Sequence, residues 1–131
     1  MQKDFDRWNK AKKEIDRSAF TQFVHIREVW WCSLGVNVGR EEDGNQEFFE
    51  RPVLVLNKFN ENMVLAIPMT STVRNTPYHF RIPYNGAEVA LVLSQLRLVS
   101  AKRLRRRMFQ MPEPLFDEVR HAVQRMIASG F

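Results

Sequence analysis

The chain has 131 residues, 44% hydrophobic and 27% charged, a size that suits one compact core and leaves little for a second. No apolar run approaches the roughly 20 residues of a membrane-spanning helix, residues Asp4, Asp6, Lys10 and Lys12 are too polar for a secretory signal, and the lone Cys32 can close no intramolecular disulfide and lead no zinc cluster. The net charge of +5 is local: Arg97, Lys102, Arg103, Arg105, Arg106 and Arg107 form an acid-free stretch, outside which 14 basic residues face 15 acidic ones. The expectation is a cytoplasmic protein of one domain over residues 1–131, with a basic surface suited to a polyanion, or otherwise a solvated charged face. An acidic counterpart, Glu41, Glu42, Asp43, Glu47 and Glu50, lies in one stretch without a base.

In chain order, Phe5, Trp8, Ala11 and Ile15 recur at three- and four-residue spacing behind Asp4 as cap, which predicts an amphipathic helix ending near Ser18. With its linker it forms an N-terminal helical extension over residues 1–27, whose apolar face is expected to dock on the remainder. Short apolar runs bounded by turn residues then predict strands at 29–34, 53–56, 63–67, 78–82, 89–93 and 96–99. Trp30 and Trp31 point to opposite faces of the first strand, leaving one of them to meet a partner or to cap the core. Between the first two strands, Gly35 to Gly44 is too polar and glycine-rich for a strand and reads as a long loop. Leu115, Val119, Ala122, Val123 and Met126 recur at helical spacing after Pro112 and Pro114, with Gly130 as a stop. Strands this closely spaced leave no room for crossover helices. The fold class is therefore mainly β with helices (α+β), a small antiparallel barrel with helices packed outside it.

Chemistry concentrates at one hairpin. Runs 52–56 and 63–69 flank the turn-rich Lys58, Phe59, Asn60, Glu61 and Asn62, and a turn centred between Asn60 and Glu61 places Arg51 opposite Thr70 at the open end. There the guanidinium meets the hydroxyls of Thr70, Ser71 and Thr72, an arrangement able to cradle a phosphate through charge-assisted hydrogen bonds. The alternative is an ordinary strand-end arginine beside a turn. The long loop could fold over a substrate at this rim, with Glu41 as an available carboxylate. His25, His79 and His121 lack partners at ligand spacing and read as structural or surface residues. Cys32, inside a strand, reads as core rather than nucleophile. No glycine-rich phosphate loop and no nucleophile elbow is present.

Taken in order, Glu28-Val29-Trp30-Trp31, Gly39-Arg40-Glu41-Glu42-Asp43-Gly44, Arg51-Pro52-Val53-Leu54-Val55-Leu56, Pro68-Met69-Thr70-Ser71-Thr72 and Leu93-Ser94-Gln95-Leu96-Arg97 followed by Lys102-Arg103-Leu104 resemble the PemK/MazF family of toxins from bacterial toxin-antitoxin operons. The resemblance covers most of residues 28–128. It implies an SH3-like barrel of the CcdB/PemK type with a C-terminal helix, over residues 28–131. It further implies a homodimer, with no cofactor and no metal, that cuts single-stranded mRNA at short sequences and is blocked by a cognate antitoxin. On this resemblance the catalytic residues are Arg51, Thr70 and Glu41. The RNA-binding candidates are Ser71, Thr72, Ser94, Gln95, Arg97, Lys102 and Arg103. Two departures stand out. Ser94 occupies a position where many members carry an acid, and six residues separate Gly44 from Arg51, a longer insertion than usual. A CcdB-like toxin that binds gyrase without catalysis, and a degenerate relative that only binds RNA or antitoxin, are the competing readings.

Overall fold

Runs of β-branched and aromatic residues become strands wherever turn residues bound them, because such side chains pack well on a pleated surface. A computed structural model describes residues 23–34 and 50–129. Within them lie β1 (Glu28–Ser33), β2 (Glu50–Lys58), β3 (Met63–Thr70), β4 (His79–Tyr84), β5 (Ala87–Val92), β6 (Arg97–Ser100), β7 (Leu104–Gln110) and helix α1 (Glu113–Ser129). The six expected strands and the C-terminal helix are all present, and β7 is additional. The N-terminal helix, the loop that carries Glu41 and the Gly130 stop lie outside the described residues.

The fold class is the expected antiparallel sheet with a C-terminal helix, but the sheet is open rather than closed into a barrel. Its order is β4-β5-β3-β2-β1-β7, with β6 also on β3. The cause lies in β3, whose one edge is shared: Met63, Val64, Leu65 and Ala66 pair with β6, whereas Met69 and Thr70 pair with β5. The sheet divides at that strand and curls. Its two outer strands then meet through side chains, with the rings of Tyr84 and Phe109 stacked 5.2 Å apart.

The β2–β3 hairpin keeps the register expected from its turn. Val53 pairs with Pro68, Leu54 with Ile67 and Val55 with Ala66. The turn is held by Asn60, whose side-chain oxygen accepts the backbone N–H groups of Asn62 (2.8 Å) and Met63 (3.0 Å). Between Val55 and Asn57 the register shifts, so Leu56 is a bulge residue and Asn57 faces Leu65. At the β4–β5 turn, Asn85 and Gly86 have φ of 49° and 76°, the two left-handed residues of a tight hairpin that joins the paired Tyr84 and Ala87.

Both faces of the sheet are buried. One carries Val29, Leu54, Ile67, Met69, Ile82 and Leu91 against Phe116, Val119, Ala122 and Val123 of α1. The other gathers Trp30, Cys32, Val53, Val55, Val64, Ala66, Val99 and Leu104. This is why most strand runs are apolar at successive positions instead of alternating. Trp30 is the tryptophan taken into the core; Trp31, on the opposite face, is half-buried beneath the guanidinium of Arg106, 5.1 Å from its ring.

The start of β1 is fixed by polar contacts. Arg27 adopts φ 75°, uncommon for a residue with a side chain. Three bonds hold it: its N–H donates to the Val55 carbonyl (2.9 Å), its carbonyl accepts the Met111 N–H (2.7 Å), and its Nε donates to the Met111 carbonyl (3.1 Å). Next to it Glu28, 4% exposed, accepts at its carboxylate from the His25 N–H (2.7 Å) and Trp30 Nε1 (3.1 Å) and forms an ion pair with Arg107 Nε (3.2 Å).

Candidate active site

Arg51 is the second residue of β2 and Thr70 the last of β3. Along an antiparallel pair, directly opposed residues share a face. Arg51 lies two and four residues from Val53 and Val55, and Thr70 lies two and four from Pro68 and Ala66, so the observed register puts both on the Cys32 face of the sheet. Both are buried, as are Glu28 and Ser33, the other two buried polar residues among those described. Cys32 of β1 pairs directly with Arg51, and Ser33 with Glu50.

Each of the two is held by backbone. Arg51 donates its Nε–H to the carbonyl of Met69 (3.1 Å), the residue before Thr70. Thr70 Oγ1 accepts the N–H of Thr72 (3.0 Å), a local turn that leaves its own O–H as a donor and sets Ser71 and Thr72 on the exposed rim. The hairpin register thus sets Arg51 and Thr70 on one face at the same end of the hairpin, with Ser71 and Thr72 following on the rim. A fixed cation beside hydroxyl donors suits a phosphate group, because the donors are placed before the anion arrives.

The other expected site residues divide by position. Arg97 pairs with Ala66, which places it on the Arg51 face. Half-buried Arg103 donates Nη1 to the Ser33 carbonyl (3.5 Å), one residue beyond Cys32. Ser94 is exposed and Gln95 half-buried in the 3-10 turn Leu93–Gln95, which follows β5 and precedes β6. Lys102 is exposed in the turn Ala101–Arg103, with its N–H on Ser100 Oγ (3.4 Å). Glu41 lies outside the described residues.

Burial pushes the Cys32 thiol up to about 12, and the positive charges of Arg103 and Arg97 offset this only in part. The residue is a buried thiol in the core, as its strand position suggested, and it stays protonated at neutral pH, which leaves no thiolate to act as a nucleophile. His25 and His121 are exposed, and His79 Nδ1 lies 2.6 Å from Thr76 Oγ1. Among the described residues, no group of three His, Cys, Asp or Glu is placed to hold a metal ion, and no helix is long and apolar enough to cross a membrane.

Sequence reasoning did not place Glu50, whose carboxylate turns to the face of β2 opposite Arg51 and lies 3.4 Å from Arg106 Nη1. It also did not foresee that the six basic residues would part company, because that depends on the pairing of β7.

The sequence model of PemK-like, MazF-like toxins of type II toxin-antitoxin systems matches residues 26–127. No curated protein matches the chain. Among solved structures, MazF from Deinococcus radiodurans (Form-I) is similar with a TM-score of 0.66 and 21% identity, over 79% of this chain and 96% of that one. The MazE-MazF complex (Form-II) from the same organism gives 0.63 and 19%, over 81% and 97%. A mycobacterial endoribonuclease in complex with its cognate antitoxin gives 0.62 and 15%, over 83% and 97%. At such identities these structures speak to the fold alone. The match across residues 26–127 makes the chain a member of the PemK-like, MazF-like family of type II toxin-antitoxin toxins.

Proposed function

We propose that the chain is the toxin of a toxin-antitoxin pair and acts as a sequence-specific endoribonuclease on single-stranded mRNA in the cytoplasm. The observation that carries this reading is the convergence of buried Arg51, anchored on the Met69 carbonyl, with the Thr70 hydroxyl at one rim of the sheet. Family membership adds the expectation of a homodimer and of an antitoxin that covers the RNA site.

In the proposed reaction a base removes the proton of an RNA 2′-hydroxyl. O2′ forms a bond to the adjacent phosphorus as the P–O5′ bond breaks, and the departing 5′ oxygen takes up a proton. The products are a cyclic phosphate and a 5′-hydroxyl end. Because the nucleophile belongs to the substrate, the mechanism asks the protein for orientation and charge stabilisation rather than for a covalent intermediate. Arg51 stabilises the charge that builds on the phosphorane oxygens; a guanidinium with a pKa above about 12 is a poor proton donor at neutral pH. Thr70, with Ser71, orients the phosphate. Glu41 is assigned as the base or as an acceptor for a nucleobase.

The test is incubation of purified protein with a long single-stranded RNA in EDTA, beside an Arg51→Ala variant, with cuts mapped by primer extension. Discrete cuts with 5′-hydroxyl ends, lost in a variant that keeps its helical circular-dichroism signal, support the reading. Full cleavage by Arg51→Ala sinks the mechanism, and absence of cuts by the folded, antitoxin-free protein turns the question to binding of gyrase.

A further inference from the structure

The β4–β5 turn carries a reactive pair that the proposed function leaves unused. Asn85 is the one asparagine in the sequence followed by glycine, the pairing in which a backbone nitrogen most readily attacks the preceding side-chain amide, because glycine has no side chain to obstruct the approach. Both residues are exposed, and a Cβ built at Gly86 would meet nothing within 4 Å. Neither belongs to the strand ladder, which ends at the Tyr84–Ala87 pair.

Conformation is what withholds the reaction. Asn85 and Gly86, at φ 49° and 76°, form the mirror image of a type I turn, in which ψ of the first central residue is roughly 30°. That angle swings the Gly86 nitrogen to the side of the Cα–C bond away from the Asn85 Cβ. A five-membered ring needs the nitrogen and Cβ on the same side, so the turn must unwind before the ring can close. Unwinding is coupled to β4, which among the described strands pairs with β5 alone. Its last residue, Tyr84, is held by the stack on Phe109 of β7, 5.2 Å between centroids.

We propose that Asn85 is a self-modification site, a deamidating residue kept intact by the closed β4–β5 turn and released to react when β4 opens. The Gly86 nitrogen gives up its proton to solvent and bonds to Asn85 Cγ; the Cγ–Nδ2 bond breaks, and the nitrogen takes a proton from solvent and leaves as ammonia. Water then opens the succinimide at either carbonyl, which yields aspartate or isoaspartate. Aspartate tolerates the left-handed region and keeps the turn. Isoaspartate routes the main chain through Cβ, which adds an atom to a two-residue turn and prevents the Tyr84–Ala87 pair from re-forming. A chain that has opened thus carries a permanent mark, whatever substrate the protein acts on.

The test follows the whole chain near pH 8, in native buffer and in guanidinium chloride, by mass spectrometry of two tryptic peptides. Residues 82–97 carry Asn85, and residues 59–74 carry Asn60 and Asn62, each followed by a larger residue, as the internal reference. Synthetic peptides with aspartate and with isoaspartate identify the products. In denaturant, peptide 82–97 is expected to exchange its amide for an acid faster than the reference. In native buffer it is expected to react at least about tenfold more slowly than in denaturant, because reaction then waits on local opening. Tyr84→Ala in native buffer should react about two- to tenfold faster than the parent, the factor by which loss of an aromatic pair raises the open population, and should match the parent in denaturant. If that variant does not fold, Phe109→Leu removes the same stack from β7 and is read in the same way. Equal rates with and without denaturant, no excess of peptide 82–97 over the reference, or a native rate unmoved by loss of the stack each overturn the proposal.

Discussion

Glu28 offers a test of how the first strand is held. Its Oε1 accepts both the Trp30 indole N–H (3.1 Å) and the His25 backbone N–H (2.7 Å), and its Oε2 faces Arg107 Nε (3.2 Å). In Glu28→Ala the indole N–H of Trp30, a residue 5% exposed, loses its acceptor, which costs about 1–3 kcal/mol for a stranded buried donor. The Arg107 pair adds at most about 1 kcal/mol, since a side chain 54% exposed recovers hydration and its attraction is screened. His25 is exposed and its N–H rehydrates. The sum is a loss of about 1–4 kcal/mol. Glu28→Gln behaves differently, because the amide oxygen serves both Oε1 donors and only the Arg107 contact goes, a loss of about 1 kcal/mol. Urea unfolding followed by tryptophan fluorescence measures both, read from midpoints at constant slope. Equal losses for the two variants would refute the reasoning, since the argument depends on Trp30 keeping an acceptor in one and not the other. In an Arg107→Ala background, Glu28→Gln should cost almost nothing.

Two further outcomes follow from local geometry. The Cys32 thiol keeps its proton in the folded chain up to about pH 12 but releases it near 9.0 when exposed, so the unfolded state binds fewer protons between those values and stability falls as pH rises there. From pH 8 to pH 10 the parent should lose about 1.4 kcal/mol more than Cys32→Ala, measured by urea unfolding at each pH; a constant difference would mean that the thiol ionises in the folded state. Gly86→Ala, at φ 76° with nothing within 4 Å of the added Cβ, should cost about 1 kcal/mol of conformational strain, seen as a lowered melting temperature, and an unchanged melting temperature would refute the assignment of that strain.

Much of the hairpin was legible because its determinants are local. Asn60 fixes the turn with two side-chain bonds, and counting back from it reaches Arg51 and Thr70 without any knowledge of the rest. The runs around Val29, Val53 and Val89 were legible for a similar reason, since β-branched residues between turns have few alternatives. Strand β7 was not. Leu104-Arg105-Arg106-Arg107-Met108 reads as a charge cluster, and it is a strand only because β1 supplies a partner, with shifts at Met108 and Arg105 that break any period of two. Edge strands tolerate such bulges and charges, and are protected by them from pairing with another chain. The split of the arginines was illegible for the same reason, as it depends on those shifts. Openness of the sheet could not be read either, because it follows from two strands sharing one edge of β3.

The burial of both sheet faces has a consequence for how this fold tolerates change over generations. Where one face is wet, sliding a strand by one residue exposes its apolar set, and the error is penalised throughout its length. Here a slid strand would exchange Leu54 for Val53 and Val55, apolar for apolar, and the penalty would be only one of fit. What such a slip cannot accommodate is Glu28, Ser33, Arg51 and Thr70, the buried polar residues, all at or next to strand ends. Drift can therefore rewrite the interior of these strands freely while their ends stay constrained, and the residues proposed to meet RNA would also keep the chain in alignment with itself.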